Sequence, residues 1–197
     1  MNSILHTLIS WDRELFLILN GAHNSFWDSV MWWASDKLIW IPVYVLLLFM
    51  LWHRYRSRIW VVILSTAFLV FLSDQISVHL FKDVVQRLRP CHEPALAGMV
   101  HIVNGKCGGQ FGFYSSHASN MFAIAVFFLY LVKERTRWIT LSILLWAGLI
   151  SYSRIYLGVH YPGDVLAGAL AGSFLGWMVA RSCSKAVGDK ISQIPKS

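Results

Sequence analysis

Five stretches of the chain carry no charged residue: Leu38 to Trp52, Ile59 to Ser73, Ala118 to Val132, Trp138 to Ser153 and Val165 to Ala180. Each is 15 or 16 residues long. As a helix rising about 1.5 Å per residue, such a run covers roughly 23 Å of a hydrocarbon layer about 30 Å thick. A spanning helix must therefore borrow a turn or two from the polar residues beside it, and those residues then sit at or just inside the membrane boundary. The pattern predicts an all-α polytopic bundle of about five transmembrane helices. Ahead of Lys37, ILHTLISWDRELFLILN and AHNSFWDSVMWWASDK keep helical spacing but carry charges at their centre. They predict one or two amphipathic helices lying in the outer interface, anchored by tryptophan. A short span whose charges face the bundle is the alternative. Asp74, Gln75 and His79 fall in the second span and are expected to face the bundle interior, because lipid exposure is costly. Gly168, Gly172 and Gly176 share one face of the last span and allow a neighbouring helix to approach closely.

Hydrophobic residues make up 56% of the 197 and charged ones 14%, with a mean hydropathy of +0.54, well beyond a soluble average. The net charge of +7 raises nucleic acid as a partner, but the basic residues flank apolar runs in short clusters rather than forming a stripe, and no nucleic-acid role is expected. HRYRSR (His53 to Arg58), KERTR (Lys133 to Arg137) and the tail after Arg181 read as cytoplasmic. Ten lysines and arginines fall on that side and seven on the other. The first 37 residues, the segment Lys82 to Ser115 and the turn Arg154 to Gly163 then share the outer face. One domain is expected over residues 1–197, with interfacial helices over 1–37, a transmembrane core over 38–181 and a cytoplasmic tail over 182–197.

Three polar clusters fall on that outer face. In KDVVQRLRP (Lys82 to Pro90), Lys82 and Arg89 are seven residues apart, about two helical turns. They are expected to project from one face of an extension of the second span, which Pro90 ends. An ammonium and a forked guanidinium there suit a compact anion with several oxygens, although basic residues snorkelling at a helix end give the same pattern. In YSSHAS (Tyr114 to Ser119), Ser115 or Ser116 is a natural N-cap, and the free N–H groups of the first turn suit phosphate. His117 stands there where it can give a proton to a leaving oxygen; a structural histidine is the other reading. In SRIYLGVHYPGD (Ser153 to Asp164), His160 and Asp164 are four apart. The carboxylate can then hydrogen-bond one ring nitrogen, fix the tautomer and leave the other nitrogen bare, the logic of an activated nucleophile. A capping pair is equally compatible. Together the clusters bring three cations, two helix N-termini, two histidines and a carboxylate to one depth, an inventory that fits a phosphoryl group in transfer.

On these residues the sequence resembles the type 2 phosphatidic acid phosphatase family, whose pattern is K-x6-RP, then PSGH, then SR-x5-H-x3-D. Lys82, Arg89 and Pro90 match the first motif, and Ser153, Arg154, His160 and Asp164 the third. In the middle motif Ser115 and His117 keep their places, while Tyr114 stands for the proline and Ser116 for the glycine. The resemblance implies a membrane helical bundle and a phosphatase that uses no metal and no other cofactor. It implies that His160 attacks phosphorus to form a phosphohistidine, oriented by Asp164. His117 then protonates the leaving group and afterwards activates water. Lys82, Arg89, Arg154, Ser115 and main-chain N–H groups near Ser116 would hold the nonbridging oxygens.

The expected substrate is a phosphate monoester or diphosphate on a membrane lipid, met at the outer, periplasmic face of a bacterial inner membrane. Polyprenyl diphosphate, phosphatidic acid or phosphatidylglycerophosphate, and lipid A phosphate are all compatible. The small size and N-terminal helix also look like those of short bacterial undecaprenyl diphosphatases. A lipid phosphotransferase using the same intermediate and a nonenzymatic transporter of an anion or lipid are the competing readings. The phosphorylated lipid and the bilayer are the expected partners; the oligomeric state is left open. Cys91 and Cys107 flank the outer loop, sixteen positions apart in an oxidising compartment, and are expected to form a disulfide. Cys183 lies on the cytoplasmic side and is expected to stay reduced.

Overall fold

The apolar runs fold as helices in a computed structural model that describes residues 3–132 and 136–188. Lys133, Glu134 and Arg135 of the KERTR loop, and residues 189–197 of the expected cytoplasmic tail, lie outside the described residues. The helices are α1 (Ser3–Gly21), α2 (Ser25–Ala34), α3 (Ile41–Tyr55), α4 (Ile59–Gln75), a single turn α5 (Asp83–Val85), α6 (Ser116–Leu131), α7 (Arg137–Tyr156) and α8 (Pro162–Ala186). Among the described residues no strand forms, only an isolated bridge between Leu88 and Phe111. Ile41–Val85, Arg137–Tyr156 and Pro162–Ala186 are each long and apolar enough to cross a membrane. The first of these folds into two helices because Arg56, at φ 43°, breaks α3 from α4. The molecule is an all-α membrane protein.

α7 and α8 lengthen to 20 and 25 residues by taking in the polar residues at their ends, as the boundary argument requires. α3 and α6 stay at 15 and 16. The shortness of α6 places its start below the end of the neighbouring helix. Ser77 of the neighbouring helix meets Ser116 Oγ at 2.6 Å, and that helix runs on to Val85, roughly 12 Å further at 1.5 Å per residue. Polar groups at the start of α6 are thus sunk into the bundle.

α6 is also the centre of the bundle: nine of its sixteen residues are buried, against α4, α7 and α8. Lipid is as apolar as leucine, so close packing rather than transfer from water holds such helices together. Gly168, Gly172 and Gly176 of α8 lie directly on the backbone of Ser115, Ser119 and Ala123, and a Cβ at Gly172 would run into the Ser119 carbonyl oxygen. Ser73 of α4 joins the same seam through Ser119, Oγ to Oγ at 2.7 Å. Outward, Leu46, Phe49, Phe68, Phe71, Leu170 and Phe174 stay exposed, an apolar surface suited to lipid.

Two sequence expectations are corrected here. Asp74 and His79 are exposed and Gln75 is only half-buried. After Gln75 the helix is π-wound over Ile76–Lys82, and its i→i+5 winding takes more residues per turn and rotates later side chains relative to earlier ones. Lys82 turns inward on this changed winding, while Asp74, before it, stays exposed. The helical extension also stops before Arg89: Gln86 adopts a left-handed conformation at φ 50°, and Arg89 follows in extended backbone at the N-cap of a short 3-10 turn, Pro90–His92.

The N-terminal helices lean on the ends of α7 and α8 that meet at the turn between them. Phe16, fully buried, packs edge-on to Tyr161 with ring centroids 5.4 Å apart. Asn20 donates to the carbonyls of Tyr156 at 2.8 Å and His101 at 3.0 Å, and accepts from the His101 N–H at 2.8 Å. One buried amide thus ties α1, the loop that carries His101 and α7 together.

Candidate active site

The turn between α7 and α8 is built to present a histidine. Gly158 takes φ +77°, where a Cβ would come within 2.6 Å of the His101 carbonyl oxygen. Its N–H donates to Ile155 and the next N–H, of Val159, to Arg154, closing α7 in a Schellman cap. Four residues after Gly158 the fixed φ of Pro162 starts α8. His160 is held between the two helix ends, 2% exposed, with Asp164 fully buried one turn on.

Asp164 has more partners than its spacing to His160 suggested. One carboxylate oxygen accepts from the Tyr161 N–H at 3.0 Å, so Asp164 does cap α8. The other accepts from Arg87 Nη1 at 2.8 Å. Arg87 reaches on to Asp12 with Nη2 at 2.7 Å, and Asp12 accepts from the Gly163 N–H at 2.7 Å. His160 Nδ1 stands 3.6 Å from Asp164, beyond hydrogen-bond reach, and has no hydrogen-bond partner among the described residues. Burial pushes the His160 imidazole down to about 4, with Asp164 opposing that shift. The ring is neutral at physiological pH, as a nitrogen nucleophile must be. Gly112 closes over this pair: a Cβ there would lie 3.3 Å from Asp164 and 3.5 Å from His160.

The cations behave differently from Arg87. Lys82, Arg89 and Arg154 act on one another electrostatically, yet among the described residues none of them forms an ion pair. Neutral oxygens hold them in place. Lys82 donates to Ser116 Oγ at 2.5 Å; Arg89 donates to the carbonyls of Phe111 and Cys107, both at 3.2 Å; Arg154 donates to Ser35 Oγ. Ser115 is the N-cap of α6, its Oγ accepting from the Ala118 N–H at 3.4 Å, and its own N–H donates to the Asp164 carbonyl at 3.0 Å. That last bond and the glycine seam put the starts of α6 and α8 side by side.

His117, in the first turn of α6, lines a cavity of about 490 Å³ between α3, α4 and α6. Ser35, Lys37, His117 and Asn120 line it, and the rest of the lining is mainly apolar, including Leu51 and Phe128. Tyr114, where the motif has proline, is buried against Phe81 with ring centroids 4.8 Å apart. Cys91 and Cys107 are joined by a disulfide across Cα atoms 6.0 Å apart, which fixes the loop whose carbonyl orients Arg89; Cys183 is free and buried. Among the described residues, His23, Asp28 and His101 bring three candidate metal ligands within 4.8 Å of one another, and none belongs to the three clusters. The cradle itself offers ammonium, guanidinium and hydroxyl donors, a set suited to an anion with several oxygens.

Sequence reasoning missed Arg87, Asp12, Ser35 and Lys37. A carboxylate inside the first amphipathic helix was the only available sign of a buried partner for Arg87.

A family model described as PAP2 superfamily matches residues 58–187, a range that includes all three motifs. The chain is 41% identical over 169 residues, 85% of its length and 74% of the relative's, to a lipid A 4'-phosphatase of Bacteroides thetaiotaomicron. It is 28% identical over 192 residues, 96% of its length and 86% of the relative's, to an undecaprenyl-diphosphatase of Sulfolobus acidocaldarius. Among solved structures, that of Aquifex aeolicus LpxE is similar at a TM-score of 0.61 and 26% identity, covering 85% of this chain and 93% of that one. A transmembrane PAP2 type phosphatidylglycerolphosphate phosphatase from Bacillus subtilis shares the fold at a TM-score of 0.69 and 22% identity, covering 96% of this chain and 90% of that one.

Proposed function

Because the chain belongs to the PAP2 superfamily and is a phosphatase of membrane lipid phosphates, we propose that it removes a phosphate from a lipid A type glycolipid through a phosphohistidine on His160. The observation that carries the phosphoryl chemistry is the set of three cations, Lys82, Arg89 and Arg154, gathered with no ion pair to a carboxylate among the described residues. Like charges held together by neutral hydroxyls and carbonyls repel one another, and an anion between them relieves that repulsion. The choice of lipid rests on the 41% identity to a lipid A 4'-phosphatase.

The chemistry runs in two displacements. His160 Nε2, the nitrogen turned away from Asp164, attacks phosphorus; the P–O bond to the lipid breaks as the P–N bond forms, and His117 gives its proton to the departing oxygen. His117, now neutral, takes a proton from water, whose oxygen attacks phosphorus and displaces His160. Inorganic phosphate leaves and both histidines return to their starting states. Lys82, Arg89, Arg154 and the first-turn N–H groups of α6 hold the nonbridging oxygens throughout. Asp164, anchored by Arg87, steadies the ring as charge develops on it.

The site faces the periplasm of a bacterial inner membrane, with α1 and α2 in the outer interface, a placement supported by the basic HRYRSR turn at the opposite end. A second reading, a polyprenyl diphosphate, is supported by the relative that matches 96% of the chain. Purified protein in detergent, offered lipid A, undecaprenyl diphosphate and phosphatidic acid with EDTA present, is expected to release inorganic phosphate fastest from lipid A. Activity abolished by EDTA and restored by a divalent metal contradicts the mechanism; faster release from the diphosphate transfers the assignment to the second reading.

A further inference from the structure

The matched family region begins at residue 58, yet the connector between α2 and α3, well before it, reaches the site. Ser35 caps the end of α2 through its N–H to the Met31 carbonyl at 3.1 Å, and its hydroxyl accepts from Arg154. Asp36 is engaged by the Leu38 N–H at 2.9 Å, and Trp40 Nε1 returns to the Ala34 carbonyl at 2.8 Å. These bonds fix the connector, and Lys37 within it lines the cavity together with His117. Among the described residues Lys37 pairs with no carboxylate, and its charge acts on the His117 ring.

Position decides what Lys37 meets. Lys82 meets Ser116 at the start of α6, and His117, the next residue, lines the cavity between α3, α4 and α6 together with Lys37. A lipid whose transferred phosphate occupies the cradle and whose chain enters this cavity brings its departing portion past His117 and Lys37. Resting on the phosphatase reading above, we infer that Lys37 is a substrate-binding residue that holds a second phosphate on the departing portion of the lipid. Two sources share that chemistry: the inner phosphate of a lipid diphosphate and the distal phosphate of a doubly phosphorylated glycolipid.

Dissociation constants measured in a His160→Ala background separate this inference from the catalytic reading, since no turnover is needed. The probes are polyprenyl diphosphate against polyprenyl monophosphate, and bisphosphorylated against monophosphorylated lipid A, in detergent at low salt. A further Lys37→Gln change is expected to weaken a doubly phosphorylated probe about tenfold and its monophosphate counterpart less than threefold, with Lys37→Arg restoring most of the difference. The pair showing the effect identifies which second phosphate Lys37 takes. Equal weakening of both members of each pair, or no weakening at all, overturns the inference. Phosphate release by the protein with His160 intact tests the phosphatase reading separately.

Discussion

Arg87 and Arg89 stand two residues apart and lead opposite electrostatic lives. Arg87 lies between two carboxylates, Asp12 at 2.7 Å and Asp164 at 2.8 Å. Among the described residues Arg89, with Lys82 and Arg154, donates to carbonyls and hydroxyls and to no carboxylate. One region is neutralised and holds the N-terminal helix to the start of α8; the other keeps its charge and collects it. The difference teaches how to read a cation in a membrane protein: a carboxylate partner marks structure, and its absence in a group of three marks an anion site.

Asp164 belongs to both regions, so Asp164→Asn should have the largest effect. It is expected to lower kcat by about 10³- to 10⁴-fold, the order seen when the carboxylate behind a catalytic histidine is neutralised, and to lower the melting temperature as well. The arginines should then separate the two regions. Arg89→Gln and Arg154→Gln are each expected to cost about 10²- to 10³-fold in kcat/KM and to weaken vanadate inhibition in step, with thermal stability kept or raised. Arg87→Gln should do the reverse, lowering stability by about 3 kcal/mol because Asp164 is left buried without its partner, while vanadate affinity per folded molecule stays within about threefold. Arginine variants with indistinguishable effects would erase the comparison.

His160 is expected to sharpen it on a finer scale. Burial depresses His160 to about 4, below its unfolded value of about 6.5. The neutral ring therefore contributes stability that is complete above about 6.5 and lost as pH falls through about 4. Histidine-selective ¹⁵N NMR should show this imidazole neutral at pH 5; a midpoint near 6.5 contradicts the buried geometry. The smallest effect is expected from Ser116→Gly, which restores the motif's own residue. Lys82 loses a neutral hydrogen bond but keeps its charge, so kcat/KM should change less than about fivefold.

Much of this architecture was legible in the sequence because it is local. Uncharged runs became helices, a glycine every four residues became the α6–α8 seam, and the spacings within SRIYLGVHYPGD set the turn that buries His160. What was not legible depends on contacts between distant segments. Arg87 meets Asp12 and Asp164 across 75 and 77 residues, and Arg154 meets Ser35 across 119; no periodicity encodes those. The π-helical winding of Ile76–Lys82 was hidden because its residues continue an apolar run. The left-handed Gln86 gave no glycine as a sign. Both determine how Lys82 and Arg89 reach one site from different backbone, where spacing alone had placed them on one helix face.

The central claim, covalent transfer of phosphate to His160 within an uncompensated cradle, is tested most directly by rapid quenching. Protein mixed with ³²P-labelled lipid A is stopped within milliseconds in alkali. A phosphohistidine gives a label that survives alkali, is lost in acid, maps to the peptide containing His160 and is missing from His160→Ala. Equal labelling of the His160→Ala protein, or phosphate release by the unaltered protein with no label ever trapped, contradicts it.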